Sequence, residues 1–389
     1  MSNLENLGAV NSLDATGFKI KQVLGEHESA AAPAGAHALA APAPAPAAAE
    51  PPLGPLAALI GNWAGNGFNT IFRPSQPSTG SDNVLELNVT TETLDFSTSL
   101  GSIPNRGEVQ PDIFLNGVSY LQKVNDVTTP GSTTGIHFEP GIWLSVPATT
   151  NPAVNTPTLV RMASIPHGTT ILAQGTSTSV AGPPVIPPLD ITPFPIGNPA
   201  NKIKFPSQTA ATPSKFRIPG TLPVKGTTLT VADWQAMLND PNSILRKIVA
   251  AQKITNTVAI SVSTGSASPL VGSGVRDIAF LDGITAPNAQ VELMTSTFFI
   301  ETVSVTLDIP AGDPAKPKPV IVSPKVLVPG QPVPRFRVTP KTNKATTKQV
   351  QYKQVQYTQT VNLNFATLTW PHVSIATLVP ADVIELALP

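Results

Sequence analysis

Three histidines and one glutamate are the residues here best suited to chemistry. His137 and Glu139 stand two apart in the run Ile136 to Val146, His167 lies in Pro166-His167-Gly168, and His372 follows Trp370-Pro371. Neutral imidazole is a good ligand for zinc, iron or copper. On a strand, His137 and Glu139 would share a face about 7 Å apart, near enough to act as an acid–base pair on a hydrophobic substrate. A metal centre built from His137, His167 and His372 is the other chemistry they offer. Against both stands the plain alternative, in which each imidazole bonds to a carbonyl or carboxylate inside a satisfied β core, and no H-x-x-x-H pair occurs locally to tip the balance toward metal. Other chemistries lack their residues. Gly272-Ser273-Gly274 has neither the third glycine nor the strand-to-helix setting of a phosphate loop, and no G-x-S-x-G, H-E-x-x-H or EF-hand pattern occurs. Arg73 and Arg106 are isolated arginines, read as surface or carbonyl-bonding residues rather than as holders of a ligand carboxylate.

Composition narrows the field further. The chain has no cysteine, which removes disulfides, thiolate nucleophiles and thiolate metal sites. Its formal net charge is zero, so no basic field draws in nucleic acid or an anionic membrane, and neither is expected as a partner. Only 12% of the 389 residues are charged, while 43 are proline and 27 glycine. Such a chain builds strands, turns and extended loops rather than solvated helices. The first 25 residues show no basic stretch followed by an apolar one, and the alanine-rich run from Ala30 to Ala49 is broken by Pro33, Pro42, Pro44 and Pro46. A cytoplasmic location is therefore expected.

The elements that must position the histidines read as strands. Alternation with β-branched and aromatic residues, punctuated by Pro, Asn and Gly, marks strands at Phe68–Phe72, Val84–Thr90, Glu92–Ser97, Ile113–Lys123, Ile136–Val146, Thr158–Ala163 and Thr169–Gln174. Further on come Thr255–Ser263, Val275–Leu281, a long strand or hairpin over Ala289–Leu307, and a closing hairpin of Lys348–Phe365 with Thr367–Leu378. Leu56–Ile60 suits a short helical turn. Thr230 with Asp233 forms a capping box that opens one helix, and a second runs from about Pro241 to Gln252. Residues 1–29 read as a tail or docking segment, 30–52 as an Ala/Pro linker, and 53–380 as one β-barrel domain. A proline-rich insertion at about 176–254 carries the helix pair, expected over a barrel mouth, and a Pro/Lys-rich excursion fills about 308–347.

The block GNWAGNG at Gly61–Gly67, GIHFEPGIWL at Gly135–Leu144 and ASIPHGTTILAQG at Ala163–Gly175 together resemble the nitrobindin-like haem-binding β-barrels, relatives of the calycins and fatty-acid-binding proteins. In that family these strands read G-x-W-x-G-x-G, H-x-E-x-G and A-H-P-x-G-x-x-E-x-x-x-G. The resemblance implies a mainly antiparallel, calycin-like barrel with an apolar interior that binds a small hydrophobic or planar ligand, haem first among them. It implies His372 as the iron ligand, with His137 or His167 toward the other face of the ring and Trp63 and Trp143 lining the site. The family places its histidine just before A-T-L in the last strand. Here Ile375 holds that place, and His372, three residues earlier, falls on the opposite face of a regular strand.

Three functions stay open from sequence. The first is ligand binding inside the barrel. The second is an enzyme of the same fold, using His137, Glu139 and His167 in acid–base or haem-assisted isomerase or peroxidase chemistry. The third is a cargo or structural protein docked to a larger assembly through residues 1–50, for which deleting those residues would change what co-sediments.

Overall fold

The computed structural model describes residues 50–75, 83–165, 168–265 and 289–388, together with the backbone of Gly274–Asp277. Among these residues ten long strands follow in chain order: β1 Gly61–Pro74, β2 Asn83–Phe96, β3 Ile113–Asp126, β4 Thr134–Val146, β5 Thr158–Ser164, β6 Thr169–Ala181, β7 Lys253–Ser263, β8 Gln290–Ile309, β9 Thr346–Phe365 and β10 Leu368–Pro380. Each pairs antiparallel with its successor, and β10 returns to pair with β1, closing an up-and-down barrel. The seam is written into the first block of glycines. A Cβ on Gly65 would stand 2.0 Å from the Thr377 carbonyl oxygen, and one on Gly67 2.2 Å from that of Ile375. Only glycine lets the last strand come this close to the first.

Inward and outward positions separate by parity. Leu94 and Phe96 of β2, Val118 and Tyr120 of β3, Trp143 of β4, Leu159 of β5 and Phe298 of β8 share one buried core inside the barrel. The turn Gly54–Leu59 plugs one end, burying Leu56 and Leu59 beside Trp63, whose Nε1 donates to the Leu59 carbonyl at 2.6 Å. That helical turn follows the expectation from sequence.

A second core lies outside the wall. Phe68 and Phe72 of β1, Leu85 and Leu87 of β2, and Val373 and Ile375 of β10 point outward and pack against Trp234, Met237, Leu238 and Leu245. These last belong to α1 (Val231–Asn239) and α2 (Ser243–Ala251). The helix pair thus lies on the barrel wall, not over its mouth as expected. The reason is that the outward positions of β1, β2 and β10 are apolar, and an apolar outer face needs a cover. The insertion is also tied down by backbone: Arg217–Ile218 pairs with Leu85–Glu86, and Phe194–Pro195 with Leu368–Thr369.

Elsewhere the expected elements hold with two revisions. Val84–Thr90 and Glu92–Ser97 are one strand, because polar Thr90 and Glu92 face a buried interior rather than a turn. Of the long strand or hairpin read over Ala289–Leu307, the strand is what forms, as the 20 residues of β8, Gln290–Ile309. The excursion between β8 and β9 holds Val320–Val322 and Phe336–Val338, which join Ile384–Glu385 in a small sheet with its own core around Val303, Leu307 and Tyr352. Of the strand expected at Val275–Leu281, Gly274–Asp277 is described and pairs with β6; the remainder lies outside the described residues.

Candidate functional site

The middle of the barrel is crossed by a buried polar network instead of the apolar hollow expected from sequence. Glu139 of β4 is 0% exposed and meets the Arg161 guanidinium of β5 at 2.6 Å. The Tyr120 hydroxyl of β3 donates to the same carboxylate oxygen and accepts from Arg161 Nε at 2.9 Å. Arg161 donates further to Gln359 Oε1 at 2.7 Å, and its guanidinium lies over the rings of Tyr120, Trp143 and Phe298. Gly141 makes the arrangement possible. A Cβ there would stand 2.4 Å from the Tyr120 ring, so the glycine of the H-x-E-x-G run is the slot that ring occupies.

Beside this group sits a second one. Glu92 of β2 accepts from Gln122 Nε2 at 2.8 Å and from the Tyr357 hydroxyl at 2.8 Å. The two carboxyls are held in opposite states. For Glu139, burial works toward the neutral acid, but Arg161 and the bonds from His137 and Tyr120 outweigh it and hold the group well below the usual carboxylate range. Glu92 has no such cation in contact. Burial pushes it up to about 7 against the hydrogen bonds from Tyr357 and Gln122, with the charge of Glu139 adding to the rise. Both tyrosines are raised by burial.

Beyond the network, away from Trp63, lie the two described histidines of the barrel wall. His137 Nε2 meets Glu139 Oε2 at 3.0 Å, and the ring is about one-fifth exposed. On β10, His372 has the parity of Ala376 and Leu378, which lie in the inner core, whereas Ile375 faces the helices. The offset of three residues therefore puts His372 on the inside, and β9–β10 pair without a register shift around Pro371. The ladder leads from His137 through Val124, Glu92 and Gly65 to Leu378. Barrel strands tilted by about 40° displace equal heights by a little over one residue per strand. Over four strands that moves the level from Leu378 about five residues toward His372.

Their hydrogen bonds differ. His137 Nε2 faces a carboxylate held ionised, so it carries the proton. His372 Nε2 lies 2.8 Å from Asn69 Nδ2, and the Asn69 oxygen accepts from Asn88 at 3.2 Å. Which of the two atoms donates depends on the tautomer of His372. A metal-ligating imidazole needs a lone pair, and Nε2 of His372 is the nitrogen that the Asn69 amide already meets.

The remaining candidates divide. Trp143 is 1% exposed against Phe298, and Trp63 is in the plug; both lie in the lower core, away from His372. His167 lies outside the described residues. Among the described residues no three of His, Asp and Glu cluster as a metal site. Arg73 pairs with Glu86 and Arg106 with Asp112, all on the surface. Among the described residues the buried arginines are Arg161, unremarked in sequence, and Arg217, whose guanidinium donates to five backbone carbonyls of the insertion. The signal for Arg161 was its parity. It shares the inward side with Leu159 and faces a strand whose inward side carries Glu139. Asn88, in the sequon Asn88-Val89-Thr90, is turned inward and 7% exposed.

Two depressions are found on the described outer surface, of about 330 Å³ along β6–β7–β8 and about 480 Å³ over Ile142, Met162 and Leu172. No helix among the described residues is long and apolar enough to cross a membrane. Compared with protein-family models, with curated proteins and with solved structures, this chain matches none of them.

Proposed function

We propose that the protein binds a planar, hydrophobic ligand inside the barrel, with haem the leading candidate and His372 its iron ligand. The observation that carries this reading is the inward parity of His372, shared with Ala376 and Leu378 of the inner core, with its Nε2 2.8 Å from Asn69 Nδ2. Asn69, Asn88 and Ser374 surround that imidazole, and the Arg161 network forms the floor beneath. Haem, when bound, would supply a redox-active iron. The chain's own residues would orient the ring edge and present N–H donors from the His137 side. Titrating the purified protein with haemin tests the reading. A Soret band that is lost in His372→Ala supports it, and a protein that stays without one removes it.

The acid–base reading draws on the His137–Glu139 pair. Glu139 is too firmly ionised and too buried to take protons from a substrate, so its part is to hold the His137 ring, and His137 is the group that would exchange a proton with a ligand. His137→Gln, which leaves the Glu139–Arg161 pair in place, should abolish turnover of any ligand that co-purifies; unchanged turnover would end this reading.

A further inference from the structure

The zero net charge of the chain hides a local excess of cations between β8 and β9. Both arginines of that excursion are occupied: Arg337 pairs with Glu385, and Arg335 donates to the Ala381 carbonyl at 2.8 Å. Lys325 lies 3.6 Å from Asp308. Lys316, Lys318, Lys341 and Lys344 are exposed and have no ion-pair partner among the described residues. Asp313, the acid nearest to them in sequence, accepts from the Ala315 N–H at 2.9 Å. The loops that carry these lysines lie side by side. The Gly312 N–H donates to the Thr342 carbonyl at 2.7 Å, and a Cβ on Gly312 would stand 2.4 Å from the Pro340 carbonyl oxygen. Lys316-Pro317-Lys318-Pro319 is also stiff, because proline fixes its own φ and holds the residue before it extended. Docking through it orders little new chain.

The strand that follows adds aliphatic groups. Val320 and Val322 pack on the core around Val303, so Ile321 between them points to solvent and is 49% exposed. Val326 and Leu327, just beyond, are 56% and 52% exposed. We infer that this excursion is a docking surface for an anionic lipid bilayer: the lysines meet the headgroup charge, and Ile321, Val326 and Leu327 enter the boundary beneath it. This departs from the expectation drawn from net charge, because a membrane feels the charges within a Debye length of about 8 Å and not the sum over the chain. A fluid surface suits lysines spread over two loops, since lipids move to meet them, whereas a folded acidic partner must match their spacing. Nucleic acid fits less well. The arginines that would grip phosphate are taken, and the excursion's one aromatic ring, Phe336, is 1% exposed and unable to stack on a base.

Co-sedimentation of the full-length protein with vesicles tests the surface. Binding should occur with vesicles of phosphatidylcholine and phosphatidylserine and not with phosphatidylcholine alone. It should be lost as salt rises from about 0.1 M to about 1 M, which shortens the Debye length from about 10 to about 3 Å. Each lysine near the surface contributes about five-fold, so Lys316→Ala with Lys318→Ala should lower the partition about twenty-five-fold. Lys341→Ala with Lys344→Ala should do the same, and neither pair should move the urea midpoint, because these side chains hold nothing in the fold. Leu327→Ser should lower the partition about five-fold at low salt. No binding to the phosphatidylserine vesicles would overturn the inference, as would equal binding to both kinds or a partition blind to the lysine and leucine changes. Salt-dependent binding of duplex DNA without binding of vesicles would overturn it too, and assign the lysines to nucleic acid.

Discussion

Arg161 and Glu139 keep each other charged where neither could remain so alone. The attraction of such a buried pair is largely offset by the cost of taking two ions out of water, so its presence adds little net stability. Losing one partner is another matter. Arg161→Met leaves the Glu139 carboxylate buried with only His137 and Tyr120, and should cost about 3–5 kcal/mol in urea unfolding. The double change Arg161→Met with Glu139→Gln should recover much of that loss, and a double variant no more stable than the single one would show that the pair is not the source. Glu301, on the outer face of β8, makes a complementary prediction. Burial raises it to about 8, Gln354 donates to its Oε2 at 2.6 Å, and its Oε1 has no partner. The folded state therefore keeps a proton that the unfolded chain gives up near its ordinary value of 4.5. Stability should fall as pH rises from there to about 8, by up to roughly 1.4 kcal/mol per unit, and stay level beyond. Glu92, raised to about 7, adds to the same slope, while the depressed Glu139 contributes stability that is lost only on acidification. Glu301→Gln should flatten the fall between about pH 4.5 and 8; an unaltered slope there would place the proton elsewhere. From sequence, Glu139 and His137 stood out because they sit two apart. Arg161, Tyr120, Glu92 and Tyr357 did not, since what makes them a site is the closing of strands far apart in the chain.

At the scale of elements, α1 shows both what local sequence settles and where it stops. Thr230 accepts from the Asp233 backbone N–H at 3.2 Å while the Asp233 side chain accepts from the Thr230 N–H at 2.8 Å, the reciprocal cap read from the sequence. Where the helix goes was not legible. In β1, Trp63 faces the barrel interior, and Phe68 and Phe72 face outward; nothing local says which apolar parity meets the helices. The same ambiguity hid the continuity of β2, whose Glu92 and Asn88 look like solvent positions until the interior is known to be polar. Two substitutions weigh the cap against the packing. Thr230→Ala should cost about 1 kcal/mol. Trp234→Ala, which empties a fully buried site against Phe68 and Leu245, should cost about 3–5 kcal/mol. Trp234→Phe should cost far less than the alanine change, because the indole N–H is buried without a partner and removing it forfeits no bond. Equal losses for Phe and Ala would mean that the N–H finds a bond the packing argument omits.

The whole molecule depends on contacts between distant parts of the chain. Thr70 pairs with Val373 and Trp63 with Pro380, so the first and last barrel strands meet across some three hundred residues. Closure entropy grows only slowly with loop length, but it must be spent before the ladder returns anything, so the seam forms late. Without β9 and β10 the sheet has two open edges, β1 and β8. The outward core beneath α1 and α2 loses Trp370, Val373 and Ile375, and the interior loses Tyr357 and the Gln359 acceptor for Arg161. No local unit is left with a covered core on both faces of β1. A chain ending at residue 345 should therefore show no cooperative urea transition at all, rather than a weakened one. The small sheet around Phe336 should not rescue it, because that core is built on Val350, Tyr352 and Val379 of the missing hairpin. Supplying residues 346–389 as a separate peptide should restore a sigmoidal transition whose midpoint rises with peptide concentration, as for any partner that binds only the folded state. A truncated chain that unfolds cooperatively, with the urea slope of the intact protein, would mean that the remaining strands close by another route. The inward placing of the two histidines, one on β4 and the other on β10, would then not be a product of this barrel.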